Sequence, residues 1–301
     1  KSSTEDRGKI LAIYTIVFFL ALALGQLLLM LEMSANTIFI LGSILVLWSL
    51  VLVAVTRVTQ PVLKPFERYS MPKLLSIAPL ALVGSFIGGV FIGAFYTMLP
   101  LYVLNLFDQP KVVSLFMAIT ILGGLMAQLP VGILSDRIGR RKMLALSGFF
   151  GAGVFLLMLV LPLIWRESVA LLYTVGFLLG VSLFSIYPLS VARANDVFDE
   201  NTDLVEISRT LLFSYGFGSF IAPLLLGFVL GFSATVFFIV LTLFALALGY
   251  YSLQSERIPE DHMNVYVAVP AASGSVLAEM DPRMDEQWVE DHRPHPEPQQ
   301  T

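Results

Sequence analysis

The sequence contains no cysteine, which excludes a disulfide framework, a thiolate metal site and a cysteine nucleophile. Its three histidines, His262, His292 and His295, all fall near the C-terminal end. The apolar body is therefore without the commonest metal ligand and the commonest proton-transfer group. Charge is scarce as well: 13% of residues are Asp, Glu, Lys or Arg, against 57% hydrophobic, and the mean hydropathy is +0.82. Such a composition lies outside the soluble range and places the chain in a bilayer.

Crossing about 30 Å of hydrocarbon takes about 20 apolar residues as a helix, because a backbone in lipid must satisfy its own hydrogen bonds. Eight segments meet this requirement, over 9–31, 36–56, 74–104, 111–134, 142–164, 168–192, 207–230 and 233–253. The expected fold class is all-α integral membrane with eight transmembrane helices. The first apolar run reads as a span rather than as a signal peptide, since it is too long and has no small-residue cleavage site. The last two spans are separated only at "LGFSAT", a Gly and Ser break in an uncharged run.

Four regions follow. Residues 1–56 hold two helices, and residues 57–73, "RVTQPVLKPFERYSMPK", form a basic, proline-containing connection. Residues 74–253 hold six helices. Residues 254–301 carry ten acidic and three basic residues, a composition expected to be a disordered acidic tail. Without that tail the net charge is +3 instead of −4.

Lys and Arg are distributed unevenly between the two faces. Lys1, Arg7, Lys9, Arg57, Lys64, Arg68, Lys73, Arg137, Arg140, Arg141, Lys142, Arg193 and Arg209 fall on one side, and only Lys111 and Arg166 on the other. The bias predicts that both ends of the chain, and the segment around residues 132–144, are cytoplasmic. Glycines four apart, Gly84 with Gly88, Gly89 with Gly93 and Gly176 with Gly180, predict helices that pack closely. Pro100, Pro130, Pro188 and Pro223 fall within or near spans, where each removes a backbone donor.

"GILSDRIGRRKML", residues 132–144, concentrates charge between two uncharged runs. As a topology signal alone it would need only its basic residues. It also contains Asp136, suited to a helix N-terminus or to neighbouring arginines, and Gly132 and Gly139, suited to close approach and a tight turn. The pattern closely resembles the cytoplasmic signature of the major facilitator superfamily, G-x-L-[AS]-D-R-x-G-R-[RK]-x-x-L. Gly132, Leu134, Asp136, Arg137, Gly139, Arg140, Arg141 and Leu144 match it. "RGKILAIYTIVFFLALALGQLLL" resembles helix five of that superfamily. "ILGGLMAQLPVGILSDRIGRR", "LFSIYPLSVARAND" and "LLFSYGFGSFIAPLLLG" resemble helices eight, ten and eleven of its YcaD-like bacterial permeases.

The resemblance implies a major-facilitator-type bundle seen from helix five to helix twelve, with the first four helices of the pattern missing. The chain starts with Lys rather than Met, and the expectation is a piece of a longer permease whose missing N-terminal helices are its partner. It implies secondary transport of a small solute by alternating access, with export one of the directions open, at a bacterial inner membrane. Binding energy in such carriers is arranged around a central site between two halves. The resemblance further implies a cytoplasmic gate in which Asp136, with Gly132, Arg137, Gly139, Arg140 and Arg141, fastens onto the start of the first helix at Arg7 and Gly8.

Polar side chains within the spans are the candidates for the substrate cavity: Gln26, Tyr96, Gln128, Tyr187 and Tyr215, since intramembrane polar groups tend to face the bundle interior. Each has an ordinary structural reading too, a tyrosine as an interface anchor and a glutamine as a tie between helices. The solute is expected to be small and rather hydrophobic, with the lipid bilayer as the other partner. No charged residue or histidine falls in the central part of a span, so either a proton-coupling group comes from the missing helices or the carrier is not proton-driven. Arg193 with Asp196, and Glu206 with Arg209, are expected as weak exposed pairs at helix ends.

Two other classes stand beside transport. A non-transporting membrane scaffold or sensor would act through the acidic tail. An enzyme is not expected, because neither a nucleophile constellation nor a metal-ligand set is present. "GFGS" at 216–219 lies in an apolar run without the spacing of a nucleotide loop. The scattered basic residues do not form a nucleic-acid footprint. No cofactor is expected.

Overall fold

The computed structural model describes residues 4–31, 33–55, 71–164, 168–197 and 204–254. The side chains of residues 4–12, 71–73, 161–164 and 204–206 are outside that description. So are most of the 57–73 connection and the 255–301 part of the tail.

Ten α-helices account for nearly all of the described residues: α1 (Thr4–Leu28), α2 (Ala35–Val55), α3 (Met71–Ile77), α4 (Pro79–Thr97), α5 (Leu99–Phe107), α6 (Pro110–Ile138), α7 (Arg140–Ile164), α8 (Val169–Val197), α9 (Leu204–Phe232) and α10 (Ala234–Gln254). Eight spans among them are long and apolar enough to cross a membrane, as the hydropathy runs require.

The 74–104 span is not one rod. It is divided among α3, α4 and α5, with breaks at Ala78 and Met98. Prolines cause the division, since Pro79 and Pro100 each sit in the first turn of the following helix, where a missing N–H is tolerated.

Helices pack in pairs that are distant in sequence: α4 on α9, α6 on α8, α7 on α10, with α8 also against α4 and α7, and α1 against α6. Small residues make those pairings close. A Cβ at Gly93 would lie 2.6 Å from the Ser219 carbonyl oxygen, and one at Gly148 would lie 2.8 Å from that of Ala245. At Gly180 it would overlap the Thr120 carbonyl oxygen. Hydroxyl groups add ties between helices, from Ser182 Oγ to Ser147 O at 2.9 Å, Ser214 Oγ to Leu82 O at 3.2 Å and Tyr102 Oη to Met158 O at 3.0 Å.

The core is aromatic and aliphatic, with Phe91, Phe95, Phe116, Phe155, Phe237 and Phe238 fully buried. By contrast α2 has no buried side chain. On α9, Phe213, Phe217, Phe220, Leu224 and Phe228 are all exposed, a stripe at helical spacing.

Candidate functional site

Residues 132–144 are not a loop. Helix α6 continues through Ile138, α7 begins at Arg140, and Gly139 alone joins them. Its φ of +90° and ψ of 144° favour glycine. The Gly139 N–H donates to Ser135 O at 3.0 Å, and its carbonyl accepts from Met143 N at 3.1 Å. One residue thus reverses the chain while both helix ends keep backbone partners.

Arg140, the first residue of α7, folds back into this joint and is only 2% exposed. It donates to the Ser135 hydroxyl and to the Asp136 carboxylate. Its Nε lies 3.4 Å from Asp196 Oδ2 on α8. Asp196 and Arg193 are buried too, at 3% and 7% exposure. The expectation of a weak exposed Arg193–Asp196 pair is therefore corrected: both side chains are enclosed, and Asp196 forms an ion pair with a different helix. The close α7–α8 packing removes water from the pair, which an i, i+3 spacing cannot reveal.

Asp136 itself remains 39% exposed. Arg137 is exposed, and Arg141 donates from Nη1 to Leu253 O at 3.0 Å, fastening α7 to the end of α10. Gly132 is buried within α6. Arg7 and Gly8 belong to α1, but their side chains lie outside the described residues. So does the Glu206 side chain, whereas Arg209 is exposed.

A cavity of about 690 Å³ opens farther along the same helices. Four of the five polar candidates line it: Tyr96 from α4, Gln128 from α6, Tyr187 from α8 and Tyr215 from α9. Tyr187 and Tyr215 pack against each other with ring centroids 4.6 Å apart and their planes tilted by 52°. Among the described residues, the hydroxyls of Tyr96, Tyr187 and Tyr215 make no hydrogen bond to the protein. Gln128 donates from Nε2 to Phe184 O at 3.1 Å, so it is both a helix tie and a wall residue.

Gln26, half-buried on α1, is not among the lining residues. Instead α1 contributes Phe18, Phe19 and Leu22, with the Phe19 ring edge-on to Phe184 at 5.2 Å. Sequence reasoning missed these, because one more phenylalanine on an apolar helix gives no signal of its own. It also missed Gly216 and Ser219, where α9 leaves room: a Cβ at Gly216 would meet nothing within 4 Å. Aspartate, glutamate, lysine, arginine and histidine do not occur among the lining residues, and no cluster of potential metal ligands occurs among the described residues. The wall is therefore apolar and aromatic with a few hydrogen-bonding groups, the usual chemistry of a small-molecule site.

The comparisons with known proteins agree with this architecture. The sequence profile of the Major Facilitator Superfamily matches residues 2–204 and, again, 109–264. The chain is 28% identical over 225 residues to the protein named "Uncharacterized MFS-type transporter YcaD" in Escherichia coli strain HS, and equally to those of strains SMS-3-5 and 55989. That alignment covers 73% of this chain and 56% of each relative, so the chain spans little more than half the length of the proteins it matches. No solved structure matches it.

Proposed function

Because the chain belongs to the major facilitator superfamily, we propose that it moves a small solute across a bacterial inner membrane by alternating access through the cavity between α1, α4, α6, α8 and α9. The observation that carries this reading is the cavity itself. It is about 690 Å³, of the size small molecules occupy, and three tyrosine hydroxyls on its wall have no protein partner among the described residues. An aromatic wall with unused hydroxyls favours a rather hydrophobic solute carrying one or two polar groups, since each unpaired buried polar group weakens binding.

The two-level arrangement of the helices supports the same reading. Helices α6 and α8 line the cavity and also carry, toward their C-terminal ends, Asp136 and Asp196 on either side of Arg140. In the proposed cycle the Arg140 joint stays a rigid corner, and the exposed Asp136 carboxylate meets the amides at the start of α1, around Arg7 and Gly8, when the cytoplasmic end closes. A carboxylate there is favoured by the unsatisfied N–H groups and the partial positive charge of the helix start. The exposed apolar faces of α1, α2 and α9 are, on this reading, covered by lipid and by further helices of the same transporter. Basic residues concentrate at the Gly139 end, which the orientation rule assigns to the cytoplasm.

Sided thiol labelling tests the reading without a known solute. These 301 residues have no cysteine, so Gly216→Cys, made with any cysteine in the transporter's other helices replaced by Ser, supplies a single thiol at a position with space for it. Membrane-impermeant methanethiosulfonate reagent should react with it both in whole cells and in inverted vesicles. Reaction from one side only, whatever the conditions, would exclude alternating access. Asp136→Asn should raise labelling from the cytoplasmic side relative to the other; an unchanged ratio would remove Asp136 from the gate.

A further inference from the structure

Three prolines interrupt the long helices: Pro130 in α6, Pro188 in α8 and Pro223 in α9. Each lacks the N–H that would bond the carbonyl four residues earlier, so each frees one acceptor. In lipid or in an apolar core a freed carbonyl is costly unless something else covers it. For Pro188 the freed carbonyl is that of Phe184, and this is the atom to which Gln128 Nε2 donates from α6, at 3.1 Å. For Pro223 the freed carbonyl is that of Ser219, which lies against Gly93 of α4, where a Cβ would be 2.6 Å away.

Phe184, Tyr187, Pro188 and Gln128 all line the cavity. The proline and the carbonyl it frees are therefore located in the cavity wall, and a side chain from another helix supplies the missing donor there. Twelve residues along α8, about 18 Å of helix, Asp196 is held by Arg140. The segment between the two ties carries Tyr187 and is anchored at both ends.

We propose that Gln128 is a positioning residue: its amide replaces the hydrogen bond that Pro188 deletes from α8, and thereby fixes the stretch of helix that presents Tyr187 to the cavity. The inference concerns the shape of the wall and stands apart from whether a solute is transported. It makes a reciprocal demand on two residues from different helices. With alanine at position 188 the helix regains its own N–H, Phe184 O is satisfied within α8, and the Gln128 amide becomes dispensable.

The test is amide hydrogen exchange on the full chain in lipid nanodiscs, comparing Gln128→Met, Pro188→Ala and the double variant. Gln128→Met keeps approximate length and volume and removes the side-chain amide, donor and acceptor together. It should speed exchange over residues 184–192 about five- to tenfold, the effect of losing one hydrogen bond to local opening, while residues 241–252 of α10 exchange as before. In the Pro188→Ala background the same change should have no further effect. An equal acceleration in α10, or an undiminished effect of Gln128→Met beside Ala at 188, would overturn the proposal. Should Gln128→Met fail to accumulate, recovery of the double variant supports the pairing, and failure of the double variant where Pro188→Ala alone accumulates overturns it.

Discussion

Two carboxylates flank Arg140, and their surroundings predict very different costs of removal. Asp196 is 1% exposed at its side chain, Asp136 is 39% exposed, and Arg140 between them is 1% exposed. At an effective dielectric near 20, charges 3.4 Å apart attract by about 5 kcal/mol before desolvation, the separation found between Arg140 Nε and Asp196 Oδ2. Breaking a buried pair on one side costs about 3–5 kcal/mol, because the other charge stays enclosed. A partly exposed pair is worth about 0.2–1 kcal/mol. Asp196→Asn should therefore destabilise the protein by several kcal/mol and Asp136→Asn by less than about 1 kcal/mol. Replacing both partners with apolar residues, Arg140→Met with Asp196→Leu, should cost less than Asp196→Asn alone, since neither charge of the Arg140–Asp196 pair is then left enclosed without the other. The assay is unfolding in mixed micelles titrated with SDS, monitored by far-ultraviolet circular dichroism. Equal losses for the two single aspartate variants, or a double variant worse than either single change at the pair, would refute the assignment of Asp196 as the buried partner.

Other outcomes follow from the same geometry. Gly139→Ala places a Cβ at φ +90° and should cost about 1–3 kcal/mol in the same titration. Gly180→Ala drives a Cβ into the Thr120 backbone on α6 and should destabilise by about 1–3 kcal/mol, whereas Gly153→Ala, with nothing within 4 Å, should be neutral or stabilise by up to about 1 kcal/mol through helix propensity. Similar effects from these two glycines would contradict the α6–α8 contact. Arg141→Gln should leave overall stability within about 1 kcal/mol and increase amide exchange in the last turn of α10, where its bond to Leu253 O is lost.

The eight spans, the helix pairing through glycine and the all-α class were legible because a bilayer imposes strong rules on composition. Long apolar runs must be helices, and small residues four apart must be contacts. The motif at 132–144 was legible as a pattern, and its Asp136, Gly139 and Arg140 meet at the joint between α6 and α7. Tyr96, Gln128, Tyr187 and Tyr215 were found because polar side chains are few in these helices, and scarcity makes each one conspicuous. Gln26 carried the same signal and lies away from the cavity, since one residue's polarity does not say which way its face of the helix is turned.

Some features came only from the packed helices. Whether Arg193 and Asp196 are surface charges or buried ones depends on α7 lying against α8, a contact between segments that share no local pattern. The division of the 74–104 span depends on how Pro79 and Pro100 begin new helices, where a single kinked rod was equally compatible with the residues. The cavity wall includes Phe18, Phe19 and Leu22 because α1 is set against α6, a choice the sequence does not mark, since apolar residues of α1 are spread around the helix. By itself, then, the order of residues determined that this chain crosses a membrane eight times and where its charged corner lies, because hydrophobicity and covalent spacing are local properties. Tertiary structure decided which charges are dry and which carbonyl Gln128 satisfies, because dielectric surroundings and hydrogen-bond partners are set by helices that meet only after folding.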